Sequence, residues 1–249
     1  MVYCVFMAKV RIDKLLVDQG LLPTREKAQR AIMAGLVFIN DHRIEKASLS
    51  FPPETKIDLR GTDQYVGRGG LKLEGALKAF SLNPSGLHCI DIGASTGGFT
   101  DCLLQNGAAH VVALDVGHGQ LDWKIRSDPR VTVVEKCNAR YLTAQDYPEK
   151  FDAVVTDVSF ISLKLILPPT IELLRKGGWI IALIKPQFEA GKSEIGNGGI
   201  IRDAEVQQKV VDDLLQWIQA YPVQTVNVAP SPIKGTDGNC EFLWYLTSK

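Results

Sequence analysis

The chain has 249 residues, which leaves room for about two domains of ordinary size. Its 28 lysines and arginines balance 28 aspartates and glutamates, so the overall charge does not point to a nucleic-acid partner. No apolar run approaches the roughly 20 residues that span a bilayer, which argues against a membrane protein.

The cysteines and the first residues bear on the cellular compartment. The five cysteines are scattered, without a Cys-x-x-Cys motif or a cluster with histidines, so we expect neither disulfides nor a bound metal. Residues 1–8 begin with a short apolar run that lacks the basic segment of a signal peptide. We expect them to form a disordered extension, with Met7 as an alternative start. These features predict a cytoplasmic protein without a membrane partner.

Residues 9–61 are predicted to form a small domain of two helices and a hairpin. The first helix covers residues 11–19, and the second covers residues 25–34 with Thr24 as its N-cap. A short hairpin follows at residues 36–45. The first 60 residues hold ten lysines and arginines against seven acids, which weakly indicates a polyanionic partner. A solvated surface of mixed charge explains the count equally well.

The helix pair resembles the S4 RNA-binding domain of ribosomal protein S4, pseudouridine synthases and tyrosyl-tRNA synthetases. The residues that carry the resemblance are Arg11-Ile-Asp13, Gly20-Leu21, Thr24-Arg25, Ala28, Ile32, Gly35, Val37 and Asn40. It implies that one helix face contacts the phosphates of structured RNA, while Ala28, Ala31 and Ile32 pack inward. The implied RNA-binding residues here are Arg11, Thr24, Arg25, Lys27, Gln29 and Arg30. A small helical adaptor with a solvated polar face is the alternative.

After a linker at residues 62–67, strand and helix patterns alternate through residues 68–249, ending with a long helix at residues 203–220 before the last two strands. The predicted strands lie near residues 87–92, 110–115, 131–135, 151–156, 178–185, 223–229 and 241–247. This alternation favours an α/β fold with a parallel sheet wrapped by helices, and the loop before the final strand predicts that this strand returns antiparallel. The pattern resembles the class I methyltransferases that use S-adenosylmethionine (SAM), whose fold is a Rossmann-like, seven-stranded sheet.

A glycine-rich turn joins the first predicted strand of this domain to a helix. Its glycines, Gly93, Gly97 and Gly98, do not match the G-x-G-x-x-G spacing of a dinucleotide-binding loop. The next strand ends at Asp115, a carboxylate suited to a ribose diol. A glycine turn and a strand-end acid without the pyrophosphate spacing favour SAM, and a plain strand–helix turn is the alternative. The predicted SAM-binding residues are Asp91, Gly93, Ala94, Ser95, Thr96, Gly97, Gly98, Phe99, Asp115, Val116, Asn138 and Asp157.

Four charged residues complete the predicted site. Lys72, Asp157, Lys185 and Glu241 resemble, in order and context, the Lys-Asp-Lys-Glu tetrad of 2′-O-ribose methyltransferases of the FtsJ type. The prolines that amino methyltransferases carry after this aspartate are absent, which disfavours methylation of a base. By this resemblance Lys185 is the base that takes the 2′-hydroxyl proton and Lys72 is a neighbouring cation. The two carboxylates orient the ammonium groups.

The chain from residue 9 onward resembles the TlyA family, whose members are described both as rRNA cytidine 2′-O-methyltransferases and as hemolysins. The resemblance implies a SAM-dependent enzyme that methylates the ribose of a cytidine in ribosomal RNA. The S4 domain would dock on ribosomal subunits, and Arg68 would also contact the RNA. Two other interpretations stay open: a hemolysin that acts on membranes, and a non-catalytic RNA-binding protein with a SAM-binding fold.

Overall fold

The computed structural model describes residues 9–60, 64–191, 194–235 and 238–249, which form two compact units. The first unit comprises the described residues up to 60, and the second begins at Gln64. The predicted extension at residues 1–8 and the start of the predicted linker lie outside the described residues. No helix in the described part of the chain is long and apolar enough to cross a bilayer.

In the first unit two short helices pack with small antiparallel sheets. Helix α1 (Ile12–Asp18) and helix α2 (Arg25–Met33) match the predicted pair, and the Thr24 hydroxyl caps α2 by accepting a hydrogen bond from the Lys27 N–H at 3.2 Å. The strands are β1 (Val10–Arg11), β2 (Val37–Ile39), β3 (His42–Arg43), β4 (Ser50–Phe51) and β5 (Asp58–Leu59). Strand β2 is central in the order β3-β2-β5, and β1 pairs with β4. The inward face predicted for α2 is confirmed, because the core buries Ala28, Ala31 and Ile32.

The described residues of the second unit form a seven-stranded sheet. Its strands are β6 (His88–Ile92), β7 (His110–Leu114), β8 (Val131–Val134), β9 (Phe151–Thr156), β10 (Leu174–Ile184), β11 (Val223–Pro230) and β12 (Phe242–Ser248). Their order is β11-β12-β10-β9-β6-β7-β8. Strands β6 to β10 pair in parallel, whereas β12 runs antiparallel to both of its neighbours. The predicted fold class, a parallel α/β sheet with a reversed last strand, is confirmed.

Helices cover both faces of this sheet. They are α3 (Gly69–Ala79), α4 (Gly98–Gln105), α5 (Trp123–Arg126), α6 (Leu163–Glu172), α7 (Pro186–Glu189) and α8 (Ala204–Trp217). The last predicted helix is shorter than expected, because its final turn continues as a 3₁₀ helix. Alternate strand residues face opposite layers, so Ile90 and Val154 enter one apolar core, while Cys89 and Val155 enter the other.

The topology brings the ends of several elements to one edge of the sheet. Asp115, Asp157 and Lys185 directly follow β7, β9 and β10. Because β12 is reversed, its start lies at the same edge, and Glu241 immediately precedes it. Helix α3 carries Lys72 near its N-terminus. This carboxyl edge is where open α/β sheets bind ligands.

Candidate active site

The four residues of the predicted tetrad meet at the carboxyl edge of the sheet. The Lys72 Nζ atom lies 2.7 Å from Glu241 Oε2 and 3.5 Å from Asp157 Oδ2. The Lys185 Nζ atom lies 2.5 Å from Asp157 Oδ1. The side chains therefore form one continuous series of ion pairs, in the order Glu241, Lys72, Asp157, Lys185.

Because the cluster is buried, its stability depends on each charge having an opposite charge beside it. Lys72, Lys185 and Glu241 are buried, and the Glu241 side chain keeps only 3% of its surface exposed. A buried charge costs several kcal/mol unless an opposite charge lies close to it. Two ammonium groups and two carboxylates leave the cluster neutral, so each charge has an opposite neighbour. Removal of any one member leaves an excess charge in a poorly solvated place.

Ser159 is a site residue that the sequence analysis missed. The Lys185 Nζ group donates a hydrogen bond to Ser159 Oγ at 2.9 Å, so this amine has a second fixed partner besides Asp157. The signal is present in the sequence, because Ser159 stands two residues after Asp157, within the segment compared with the amino methyltransferases. The hydroxyl fixes the amine without adding a charge.

Phe160 is a second residue that the sequence analysis missed. Its side chain is 90% exposed, and its backbone φ of 62° lies in the left-handed region. Its ring centroid lies 5.0 Å from that of Phe188, and Lys185 Nζ lies 5.9 Å from the Phe188 centroid. An exposed ring in a sparsely populated backbone conformation, beside reactive groups, offers a stacking surface to a planar ligand.

The glycine-rich turn forms a wall of the site because it approaches other backbone closely. Gly93 has a φ of 84°, and a Cβ placed on it would lie 2.8 Å from the Asp157 carbonyl oxygen. A Cβ on Gly98 would lie 2.9 Å from the Gly70 amide nitrogen. The turn therefore packs against both the end of β9 and the start of α3, at distances that exclude any larger residue.

In the described part of the second unit, two adjoining clefts open beside this turn. The smaller cleft, of about 240 Å³, is lined by Arg68, Gly69, Lys72, Gly93, Ala94, Ser95, Thr96, Gly98, Phe99, Asp157, Ser159, Lys185 and Lys234. The larger cleft, of about 450 Å³, is lined by Gly93, Ser95, Leu114, Asp115, Val116, Gln120, Cys137, Asn138, Ala139, Asp157, Val158, Ser159, Phe160, Ile161 and Ile166. The clefts share Gly93, Ser95, Asp157 and Ser159, and the larger has the size of an ordinary small-molecule site.

The residues of the larger cleft fit the predicted cofactor. Asp115 accepts hydrogen bonds from the Ser95 N–H at 2.8 Å and the Gly117 N–H at 2.6 Å, which hold its carboxylate against the glycine turn. Each carboxylate oxygen has a second lone pair, so Asp115 keeps capacity for ribose hydroxyls. Asn138 lines the same cleft and caps the next turn by accepting a hydrogen bond from the Arg140 N–H. A carboxylate, an amide and apolar walls together suit the adenosine group of a ligand such as SAM.

Two predicted SAM-binding residues lie behind the cleft wall rather than in it. Asp91 is fully buried in β6, where its Oδ2 accepts a hydrogen bond from the Thr100 hydroxyl at 2.7 Å. Its Oδ1 has no hydrogen-bond partner among the described residues. Burial raises the pKa of Asp91 to about 7. Gly97, with a φ of 96°, precedes α4 and likewise shapes the turn from behind.

Three of the predicted RNA-binding residues converge on Asp13, a carboxylate that contributes to the S4 resemblance but was given no role of its own in the sequence analysis. In the first unit, Asp13 accepts hydrogen bonds from the side chains of Arg11, Arg25 and Gln29. Lys27 is exposed on the same helix as Arg25. Polar side chains of α1 and α2 therefore form a single connected group.

Thr24, Arg30 and Arg68, which are also predicted RNA-binding residues, make other contacts. Thr24 serves as the cap of α2, and Arg30 forms an exposed ion pair with Glu26 at 2.7 Å. Arg68 belongs to the second unit, where it donates a hydrogen bond to the Lys234 carbonyl at 3.0 Å. Both Arg68 and Lys234 line the smaller cleft, which places positive charge beside the tetrad.

Comparisons with known proteins agree with the fold. Residues 65–248 match the FtsJ-like methyltransferase family, and residues 10–55 match the S4 domain. The 16S/23S rRNA (cytidine-2′-O)-methyltransferase TlyA of Mycobacterium tuberculosis is 42% identical, over 96% of this chain and 90% of its own length. YqxC of Bacillus subtilis, provisionally named an rRNA methyltransferase, is 48% identical over 96% of this chain and 85% of its own length.

A solved structure is also similar to this chain over nearly its whole length. A protein from Streptococcus thermophilus, provisionally named a hemolysin, matches with a TM-score of 0.73 and 46% identity, covering 98% of this chain and 90% of its own. Fold and site together define a class I methyltransferase with an S4 domain. The chain belongs to the TlyA family of FtsJ-like methyltransferases, which confirms the resemblance seen in the sequence.

Proposed function

We propose that this chain transfers a methyl group from SAM to a ribose 2′-hydroxyl of ribosomal RNA, and that its S4 domain docks on the folded RNA. The observation that carries the proposal is the ion-pair series of the tetrad at the edge of a glycine-walled cleft. The name of the M. tuberculosis relative supports ribosomal RNA as substrate and cytidine as the nucleotide. A cytoplasmic location is part of the proposal, because ribosomes are there.

Lys185 is assigned as the proton acceptor. A ribose hydroxyl is a weak nucleophile, so it must lose its proton as its oxygen forms the new bond. Lys185 Nζ borders the smaller cleft, where Asp157 and Ser159 hold it. In the charge-balanced cluster this group is an ammonium ion, so it must give up its own proton before the neutral amine can act as general base. When bound, SAM supplies the electrophilic methyl group.

Lys72 is assigned a different role, as a fixed cation. Its ammonium group pairs with Glu241 at 2.7 Å and lies farther, at 3.5 Å, from Asp157. A cation held beside the reacting oxygen stabilises the negative charge that develops on that oxygen in the transition state. Glu241 and Asp157 act by position, because they keep the two amines in fixed places.

The larger cleft is assigned to SAM. Asp115 would bind the ribose diol, and Asn138 would contact the base between the apolar side chains of Val116 and Ile161. The backbone of the glycine turn would line the cofactor's amino-acid tail. A ligand in this cleft borders the tetrad, because Asp157 belongs to both clefts. This arrangement supports positioning of donor and acceptor as a main source of rate.

Positive charge and an exposed ring support RNA as the second substrate. Arg68 and Lys234 add two cations to a cleft whose tetrad is neutral, which favours a phosphodiester next to the target ribose. Phe160 lines the cleft assigned to SAM, but its ring is 90% exposed, so the ring can also stack on a nucleobase of the RNA. The S4 domain would supply the wider contact that selects a folded RNA.

Mapping of ribose methylation tests this proposal. Ribosomal subunits from a strain that lacks the gene are incubated with the purified chain and labelled SAM, and 2′-O-methyl groups are mapped on each RNA. We expect defined cytidines to gain a ribose methyl with the wild-type chain and none to gain one with Lys185→Ala. Label on a base, or no label on either subunit by a chain that binds SAM, would overturn the proposal.

A further inference from the structure

Asp13 is a buried carboxylate in the first turn of α1, and it accepts four hydrogen bonds. Arg11 donates two of them, from Nε to Oδ1 at 3.1 Å and from Nη2 to Oδ2 at 3.0 Å. Arg25 Nη2 and Gln29 Nε2 donate to Oδ2 at 2.8 Å and 2.9 Å. The Asp13 side chain is fully buried, so these partners replace its water.

The partners of Asp13 come from different elements. Arg11 precedes α1, whereas Arg25 and Gln29 lie four residues apart on one face of α2. The Arg11 and Arg25 side chains remain 49% and 54% exposed, so each guanidinium contacts the buried Asp13 carboxylate while part of the side chain faces solvent. A guanidinium carries five N–H donors, of which Asp13 engages two on Arg11 and one on Arg25.

This arrangement keeps a positive charge in a fixed place. Two guanidinium groups and one carboxylate leave a net positive charge. The hydrogen bond from Arg11 is the main reason that the pKa of Asp13 lies well below its usual range, so the carboxylate stays ionised at neutral pH. By contrast, Arg30 on the same helix pairs with exposed Glu26. A solvated pair of that kind restrains a side chain little.

We propose that Asp13 is a positioning residue that sets Arg11, Arg25 and Gln29 into one pre-formed group of donors for the phosphate backbone of folded RNA. The inference rests on the proposed docking role of the S4 domain. A long, flexible side chain loses rotamer freedom when it binds a phosphate, and a side chain already held by Asp13 loses less. A buried acid thereby strengthens the binding of a polyanion.

Whether RNA binding becomes weaker or stronger when the Asp13 carboxylate is removed distinguishes a positioning role from an effect of net charge. Removal of a negative charge from an RNA-binding surface should strengthen RNA binding if only net charge matters. Loss of the Asp13 carboxylate should weaken it if the carboxylate positions the arginines. The test uses the full-length chain, transcribed 16S and 23S ribosomal RNA as probes, and filter binding at several salt concentrations. The variants are Asp13→Asn and, as a matched control, Glu26→Gln.

We expect Asp13→Asn to weaken RNA binding by about fivefold, the scale of ordering one long side chain on binding. Glu26→Gln should leave the affinity within about twofold of wild type, because its ion pair is exposed. The SAM affinity of the second unit should be unchanged in both variants. An Asp13→Asn chain that binds RNA as tightly as wild type, or more tightly, would overturn the inference.

A second pair of variants keeps the test decisive if Asp13→Asn unfolds the first unit, which circular dichroism would reveal. Arg25→Lys keeps the charge on a half-exposed residue but removes the guanidinium that Asp13 holds. We expect it to weaken binding by about threefold or more, whereas Arg43→Lys, at an exposed arginine of β3 in the same unit, should change it little. Equal effects of the two would contradict the positioning role.

Failure of the inference can be told from failure of the docking role. Reversal of charge by Arg25→Glu with Lys27→Glu should weaken RNA binding and reduce its salt dependence, by a slope of about 0.9 for each phosphate that the variant no longer neutralises. If this reversal has no effect, the S4 unit does not dock RNA. If it weakens binding while Asp13→Asn and Arg25→Lys do not, only the positioning role of Asp13 is wrong.

Discussion

Glu241 contacts Lys72 at 2.7 Å, although Glu241 precedes the last strand of the sheet and Lys72 lies on the first helix of the second unit. Glu241 is also the most buried member of the tetrad. The contact therefore links strand β12 to helix α3 through the site itself. Without Lys72, Glu241 would be a buried charge that has lost this partner, and without Glu241, Lys72 would keep its longer contact with Asp157 at 3.5 Å.

Replacement of Glu241 should affect both stability and catalysis. We expect Glu241→Gln to lower the free energy of unfolding by about 3 kcal/mol, since it leaves the buried Lys72 ammonium group with a weaker partner. Denaturant unfolding measures this change, and single-turnover methyl transfer should also fall. The matched control is Glu74→Gln, which breaks the more exposed pair of Glu74 with Lys78 on the same helix. That change should cost less than about 1 kcal/mol. Equal losses of unfolding free energy in the two variants would show that the buried pair stabilises the fold no more than the exposed pair does.

Lys185 provides the test of general-base chemistry. Lys185→Ala should bind SAM and RNA normally and lose roughly a hundredfold to ten-thousandfold in single-turnover transfer. Lys185→Arg should be nearly as slow, because a guanidinium does not give up its proton near neutral pH. Lys176→Ala, an exposed lysine on β10, serves as the control and should keep the wild-type rate. An arginine variant with most of the wild-type rate would mean that Lys185 acts through its charge alone.

Asp115 should control SAM affinity. Asp115→Ala removes the proposed ribose contact and also frees the Ser95 and Gly117 N–H groups that its carboxylate holds. We expect calorimetry to show binding weaker by about tenfold or more, the scale of one charge-assisted hydrogen bond. Asp128→Ala, at an acid that pairs with Arg130 and lines neither cleft, should not change the affinity. Unchanged binding in Asp115→Ala would remove this residue from the cofactor site.

The free energy of unfolding should depend on pH through the titration of Asp91. Burial raises its pKa from 3.8 to about 7, so the folded chain binds an extra proton between these values. Its contribution to stability is therefore greatest below this window and declines as the pH rises through it, by at most about 1.4 kcal/mol per pH unit. Asp91→Asn abolishes the titration. Denaturant unfolding at pH 5 and pH 8 should show the variant gaining stability relative to wild type at the higher pH. A difference that is the same at both would contradict the raised pKa.

Phe160 should matter for RNA and not for the fold. Its ring is largely solvated, so Phe160→Ala should change the free energy of unfolding by no more than about 0.5 kcal/mol. If the ring stacks on a nucleobase, the KM for RNA should rise roughly tenfold, since such stacking contributes about 1–3 kcal/mol. Trp123 is 74% exposed and lines neither cleft, so Trp123→Ala is the matched control. A similar response in both variants would argue against a specific stacking role.

The arrangement of the sheet could be predicted because its signals are local. Strands buried on both faces appear as short continuous apolar runs, and β9 and β10 lie close to the predicted positions. The polar residues that follow such strands share an edge, which brings Asp157 and Lys185 together. Lys72 and Glu241 lie outside this pattern, and the family resemblance was needed to join them to the site.

Side-chain partners could not be predicted in the same way, because they depend on contacts between distant segments. Asp13 resembles an ordinary acid at a helix start, and only the packing of α2 brings Arg25 and Gln29 to it. Asp91 and Asp115 both end strand patterns, yet the fold buries the first behind the turn and leaves the second in the cleft. Such differences arise from the depth of each residue in the fold.

The reversed strand has a consequence for the order of events during protein synthesis. Strand β11 is made before β12, but within the described sheet its neighbour is β12, which lies between β11 and β10, so β11 can join the sheet only after β12 is in place. Until then the growing chain contains both lysines of the tetrad but only one of its carboxylates, Asp157, because Glu241 is the last of the four residues to be synthesised. Pairing of β12 thus completes the sheet of the described residues and also brings the second carboxylate to the tetrad.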